Sequence, residues 1–222
     1  MRLAIFDLDN TLLAGDSDHA WGEFLISRKL VDEVIHRTRN DRFYRDYQQG
    51  RLNVHDYVRF TLEPVLRLPL AELAELHREF MEDYINPIIL PRAVELVKQH
   101  REQNDYCLII TATNRFITEP IARCFAVDTL LATDLVVESA RYTGAIDGVP
   151  CFQAGKVERL EHWIRLRNDG FKLKDSVFYT DSHNDLPLLR KVRFPIAVDP
   201  DPELKEIANN NAWKVISLRQ RT

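Results

Sequence analysis

Four apolar residues, Leu3-Ala4-Ile5-Phe6, run without a polar break into Asp7-Leu8-Asp9-Asn10-Thr11, and this junction constrains the chain more than any other. Unbroken hydrophobicity marks a strand covered on both faces, as in a parallel sheet sandwiched by helices. Ligands of such sheets collect in the crevice beyond the carboxyl ends of the strands, so two acids placed there suggest chemistry. Two buried carboxylates side by side repel each other and lose hydration. They need a cation between them, or a proton on one of them. A plain turn, with Asn10 and Thr11 as turn or cap residues, is the alternative at this point.

With 222 residues, 45% of them hydrophobic, the chain has material for a sizeable core plus an insertion. A net charge of −4 gives no general attraction to nucleic acid or anionic lipid. No run approaches the roughly 18 consecutive apolar residues that would suggest a membrane span, and no leader precedes the first strand, so a cytoplasmic protein without a membrane partner is expected. Cys107, Cys124 and Cys151 are odd in number and lack Cys-x-x-Cys spacing, and read as ordinary thiols.

From Ala14 to Tyr84 strand patterns give way to amphipathic ones. Ser17 or Asp18 is expected to cap a helix bearing Trp21, Phe24 and Leu25, and Asn53 a later one. Between them lies a basic, aromatic stretch with Arg42, Phe43, Tyr44, Arg45 and Tyr47, which Gly50 should end. Pro91 suits the first turn of the next helix. Strands and helices then alternate: Tyr106–Thr111, a helix around Ile117–Phe125, an extended Leu130–Val137, a hairpin arm at Tyr142–Ile146, and a helix from Lys156 stopped near Gly170. A strand at Ser176–Asp181, a helix through Leu186, Leu189 and Val192, and strands at Pro195–Val198 and Trp213–Ile216 complete the run. The pattern predicts an α/β fold: a doubly wound, Rossmann-like parallel sheet core (1–13 and 86–222) with an inserted all-helical cap (14–85).

Three apolar strands deliver polar residues at their ends: Asp7 with Asp9, Thr111, and Asp181 with Asn184 and Asp185. Hard oxygen donors of this kind suit Mg²⁺, which prefers a few carboxylates, water and substrate phosphate to a cage made wholly of protein. Lys156, opening a helix, adds positive charge. Taken singly, Lys156 reads as a surface lysine and Thr111 as a strand-end hydroxyl; their order and spacing give them weight.

That set resembles the four motifs of the haloacid dehalogenase-like hydrolases: Asp7-x-Asp9-x-Thr11, Thr111, Lys156, and Asp181-Ser-His-Asn184-Asp185. An insertion between the first and second motifs is similar to the phosphoserine phosphatase-like branch. Two departures stand out, Thr180-Asp181-Ser182 where that branch has Gly-Asp-Gly and Thr111-Ala112-Thr113 where it has Ser-Gly-Gly.

The resemblance implies that Asp7 attacks phosphorus to form an aspartyl-phosphate and that Asp9 serves as general acid and then base. It implies Mg²⁺ held by Asp7, the Asp9 carbonyl and Asp181, with Asp185 and Asn184 behind them. Thr111 and the Ala112 amide would meet phosphoryl oxygens, and Lys156 would neutralise their charge. Asp9 argues against a dehalogenase, which has no alkoxide to protonate. Lys29, the only lysine from 14 to 84, gives little support to Schiff-base chemistry in the cap. Asp16 falls where phosphoserine phosphatases meet the substrate's amino group, with an N-cap as the alternative; Arg42 and Arg45 could meet a carboxylate or simply face water. The expected partner is a small phosphorylated metabolite. A silent phosphate-binding protein, a phosphotransferase using the same intermediate and a receiver-type switch are the other readings.

Overall fold

The computed structural model describes residues 1–219. Its centre is β1 (Leu3–Phe6), flanked on one side by β2 (Tyr106–Asn114) and β3 (Thr129–Thr133) and on the other by β6 (Val177–Thr180), β7 (Phe194–Val198) and β8 (Lys214–Ile216). All pairings in this six-stranded sheet are parallel. The strand order reverses direction at β1, so the crevice where ligands of doubly wound sheets bind opens at its carboxyl end. The sequence sets this centre directly, since Leu3, Ala4, Ile5 and Phe6 are all at most 1% exposed.

Period-two alternation divides the strands between two cores. Phe6, Ile109, Tyr179 and Val198 face one side, covered by α5 (Pro91–Glu102) and α6 (Arg115–Cys124) through Ala93, Val97, Ile117 and Ile121. Ile5, Ile110, Phe178 and Ala197 face the other, covered by α7 (Ala154–Arg167), α8 (Leu186–Leu189) and α9 (Pro202–Asn210) through Leu160, Leu188 and Leu204. Each fully buried Val, Leu, Ile or Phe among them contributes about 1.5–3 kcal/mol.

Between β1 and α5 lie α1 (Ser17–Ser27), α2 (Glu33–Gln48), α3 (Val54–Leu62) and α4 (Leu70–Phe80). Trp21 is fully buried, stacked on Phe24 and edge-on to Phe80 and Phe116, and these rings merge with the first sheet core. The chain enters and leaves this helical segment along paired backbones, with Ala14 donating to the Ile88 carbonyl at 2.7 Å and Leu90 to that of Leu12 at 3.2 Å. The expected hairpin arm is present: β4 (Leu135–Glu138) pairs antiparallel with β5 (Arg141–Ile146), and α3 packs on β5.

Three local expectations are corrected. The N-cap of α1 is Asp16, which accepts from the His19 amide at 2.8 Å; Ser17 and Asp18 lie inside the helix and are buried. Helix α7 starts at Ala154, two residues ahead of Lys156, and its C-cap is Asn168, left-handed with φ 53°, near Gly170 as expected. Helix α8 stops at Leu189 and does not reach Val192, because Arg193 and Phe194 already donate to the Ser176 carbonyl as the chain enters β7.

Candidate active site

Sheet register assembles the floor of the crevice. Phe6 pairs with both Ile109 and Tyr179, so Asp7 emerges between the ends of β2 and β6 and donates its amide to the Tyr179 carbonyl at 2.9 Å. Thr111 and Asp181 lie one step further along the neighbouring strands. The structure thus brings Asp7, Asp9, Thr111, Lys156, Asp181 and Asp185 together from segments far apart in the chain.

Lys156 is the electrostatic centre. Its Nζ donates to Asp7 Oδ1 and to Asp185 Oδ2, both at 2.8 Å, with only 3% of the residue exposed. Burial works against its charge, but Asp185 and Asp7 outweigh that and hold the ammonium protonated. Gly155 makes this placement possible: a Cβ there would lie 2.1 Å from the Pro150 carbonyl oxygen. Gln153, just before α7, is held at φ 50°, and its side-chain amide donates to Asn184 Oδ1 at 2.9 Å and to the Gly50 carbonyl at 3.2 Å. Positive φ in a residue other than glycine costs energy and persists only where surrounding contacts fix it.

The other acids are equally well held. Asp185 also accepts from Thr180 at 2.6 Å. The Thr11 hydroxyl bridges Asp181 Oδ1, at 3.1 Å, and Asp7 Oδ2, at 3.4 Å, while accepting from the Asp181 amide at 3.0 Å. Asp9 accepts from the Ser17 amide at 2.7 Å, the Thr113 hydroxyl at 2.8 Å and the Thr111 hydroxyl at 3.5 Å. Burial raises Asp7 to about 7, with Lys156 pulling against it and Asp185 adding to it. Burial followed by the charge of Asp16 raises Asp9 to about 6. Asp181 is pushed well up by burial and then by repulsion from Asp7 and Asp185.

One lysine among these carboxylates leaves negative charge in excess, the condition a divalent cation relieves. Among the described residues no three His, Cys, Asp or Glu side chains form a metal cage. Asp7 and Asp181, joined through the Thr11 hydroxyl, are hard carboxylate donors of the kind that a small divalent cation such as Mg²⁺ takes together with water and phosphate oxygens.

Above this floor opens a cavity of about 470 Å³. Asp7, Asp9, Thr111, Ala112, Lys156, Asn184 and Asp185 line its base, while Asp16, Asp18, Asn40, Tyr44, Tyr47 and Tyr57 line its upper wall. Asp16 both caps α1 and faces the cavity. Helix α2 is tied to the floor: Tyr47 donates its hydroxyl to Ser182 Oγ at 3.0 Å, and Asn184 Nδ2 donates to the Tyr47 carbonyl at 3.1 Å. Arg42 lies in a separate depression with Arg39, Arg51 and Arg59, and Arg45 lines neither hollow. Thr113 and Tyr47 were not expected at the site. Thr113 sits in the altered second motif; for Tyr47 the only sequence signal was an aromatic residue within a basic helix.

The family model for haloacid dehalogenase-like hydrolases matches residues 4–190. The chain belongs to that family. A histidinol-phosphatase of Neisseria meningitidis is 44% identical over 220 residues, covering 98% of this chain and 99% of that protein. A phosphoserine phosphatase of Methanocaldococcus jannaschii is 24% identical over 213 residues, covering 94% of this chain and 90% of that protein. Among solved structures, a Bordetella pertussis protein of unknown function superposes with a TM-score of 0.90 at 44% identity, covering 98% and 99% of the two chains. A substrate-bound phosphoserine phosphatase shares the fold with a TM-score of 0.70 at 19% identity, covering 98% and 93%. The chain sits in the phosphoserine phosphatase-like branch and is a phosphatase. No helix among the described residues is long and apolar enough to cross a membrane.

Proposed function

We propose that this phosphatase hydrolyses L-histidinol phosphate through a phosphorylated Asp7, with residues 14–85 acting as a cap over the reacting phosphate. The charge pattern of the cavity carries this reading. Six aspartates and several aromatic rings line it, Lys156 is its single lysine, and no arginine lines it among the described residues. Lys156 lies on the floor, where the phosphoryl group belongs, so a substrate carboxylate such as that of phosphoserine would enter an acidic wall with no counter-charge. Histidinol phosphate carries an imidazolylmethyl group where phosphoserine carries that carboxylate, and so offers an ammonium to the acids and an imidazole to the rings. The near full-length likeness to the Neisseria meningitidis histidinol-phosphatase supports the same substrate.

In the first half-reaction a carboxylate oxygen of Asp7 bonds to phosphorus as the bond from phosphorus to the leaving oxygen breaks, and Asp9 gives its proton to that oxygen. In the second half Asp9 removes a proton from water as the water oxygen attacks phosphorus, returning Asp7 to its free carboxylate. The Ser17 amide and the Thr113 hydroxyl orient the Asp9 carboxyl for both transfers. The Thr111 hydroxyl and the Ala112 amide meet phosphoryl oxygens, and Lys156 faces the charge that grows on them in the transition state. Mg²⁺ bound by Asp7, the Asp9 carbonyl and Asp181 would supply electrostatic screening between the nucleophile and the phosphate dianion. Asp185 keeps Lys156 in place, as their 2.8 Å contact implies.

Phosphate release from L-histidinol phosphate and from L-phosphoserine, with Mg²⁺ and after chelation, tests this reading. A kcat/KM at least about 100-fold higher for histidinol phosphate is expected, since an unpaired charge in the wrong place is rejected far more strongly than a missing methylene. Chelation should abolish both activities. Preference for phosphoserine would overturn the substrate.

A further inference from the structure

Among the described residues, Asp18 is the one buried acid of the cavity wall with a carboxylate oxygen that accepts no hydrogen bond. It is the second residue of α1 and 7% exposed, and its Oδ1 has no hydrogen-bond partner among the described residues. Two ordinary reasons for an acid in the first turn of a helix do not apply. Capping is performed by Asp16, which accepts from the His19 amide at 2.8 Å, and favourable placement against the helix dipole does not require withdrawal from water. The buried Asp7 and Asp185 share Lys156, whereas no salt bridge among the described residues reaches Asp18. A carboxylate taken from water without a counter-charge is costly, and such groups in folded proteins ordinarily have a partner.

The surroundings indicate the sign of that partner. Asp18 lines the same cavity as Asp7 and Lys156, beside Asp16 and Tyr57. Burial, then the charges of Asp16 and Asp9, push its carboxyl well up, and burial followed by the charge of Asp18 does the same to the Tyr57 phenol. These groups crowd negative potential onto one wall, and Lys156 stands on the floor. The position of Asp18 is also fixed: three residues along α1, Trp21 is fully buried among Phe24, Phe80 and Phe116. An acid mounted on so rigid an element is pre-organised to select a ligand.

We propose that Asp18 is a specificity-determining residue, the counter-charge for an ammonium group carried by the alcohol portion of the phosphate ester. Asp18 touches the leaving group and takes no part in bond breaking at phosphorus. This rests on the cavity being the leaving-group site of a phosphomonoesterase, but it does not require the alcohol to be histidinol. Any phosphorylated amino alcohol whose nitrogen reaches the α1 wall falls in the substrate class.

The test uses 2-aminoethyl phosphate and propyl phosphate, which have the same number of heavy atoms and differ in the ammonium. The wild-type protein is expected to prefer the amine at least about tenfold in kcat/KM, mainly through KM. Asp18→Asn should bring that ratio close to one, and Asp18→Glu, which keeps the charge, should restore part of it. A wild-type ratio near one overturns the proposal without any variant. So does a ratio that survives Asp18→Asn, or an equal loss of kcat on both esters, which would make Asp18 structural. Should Asp18→Asn fail to melt cooperatively, Asp18→Glu decides with the wild type: a preference lost despite the retained charge and normal folding contradicts the proposal, and a retained preference supports it. If L-histidinol phosphate is not turned over while the amine preference holds, the substrate named above fails and the role of Asp18 stands.

Discussion

The floor and the upper wall of the cavity both carry aspartates, but the protein treats them in opposite ways. On the floor, Asp7, Asp9, Asp181 and Asp185 each have donors from lysine, threonine or backbone, fixed by strands whose register leaves little freedom. On the wall, Asp16 spends one oxygen on a helix cap and Asp18 keeps an oxygen with no partner. A site built to stabilise a transition state gains from donors set in advance. A site that reads a ligand gains from groups whose missing partner the ligand brings. In the proposed mechanism the difference separates chemistry below from recognition above, and substitutions in the two regions should fail differently.

The largest effect is expected on the floor. Asp7→Asn should leave the fold intact, by circular dichroism and thermal melting, and lower phosphate release by about 10⁴-fold or more on every ester. Lys156→Met should cost kcat about 10²–10³-fold. It should also destabilise the protein by about 3–5 kcal/mol, because Asp7 and Asp185 would be left as buried unpaired charges. Denaturant unfolding without added metal checks the second part.

Asp9→Asn sharpens the contrast further. It should slow alkyl esters, which need a proton on the leaving oxygen, by about 10²–10⁴-fold and spare aryl esters by comparison. An equal loss on both would remove Asp9 as the acid.

A smaller effect links the two regions through pH. Asp9 must be protonated to give its proton, and burial followed by the charge of Asp16 raises it to about 6. With Mg²⁺ bound and Asp7 thereby held ionised, turnover of alkyl esters should therefore fall as pH rises through that range. Asp16→Asn removes the like charge, lowers the Asp9 pKa and moves this limb to lower pH. An unmoved limb in the pH profile would show that the wall does not reach the acid. Smallest of all, Tyr47→Phe removes the donor to Ser182 and should cost about 1 kcal/mol of stability, with a modest rise in KM as α2 loosens from the floor.

Much of the floor was legible because strand periodicity and strand ends are written in the sequence. Leu3–Phe6, Cys107–Ile110 and Val177–Tyr179 are apolar runs, and the polar residue after each run emerges at the sheet edge whatever the rest of the fold does. The wall was far less legible. Helical periodicity tells which face of α1 is buried, but Asp16, Ser17 and Asp18 each read as a cap, and the pattern does not choose Asp16 among them or turn Asp18 inward. Arg42 and Arg45 illustrate the opposite difficulty, since charge alone left them open between a substrate carboxylate and a solvated face, and neither lines the cavity. Thr113 was visible as a departure from the family motif, but its bond to Asp9 depends on β2 continuing to Asn114, past the end of its apolar run.

Peptide mass spectrometry after rapid acid quench, during turnover of L-histidinol phosphate with Mg²⁺, tests the covalent step most directly. A phosphoryl group should appear on the peptide containing Asp7, disappear on treatment with hydroxylamine, and be absent from Asp7→Asn. Phosphate release at full rate with that peptide never modified at any quench time, or turnover surviving Asp7→Asn, would contradict it.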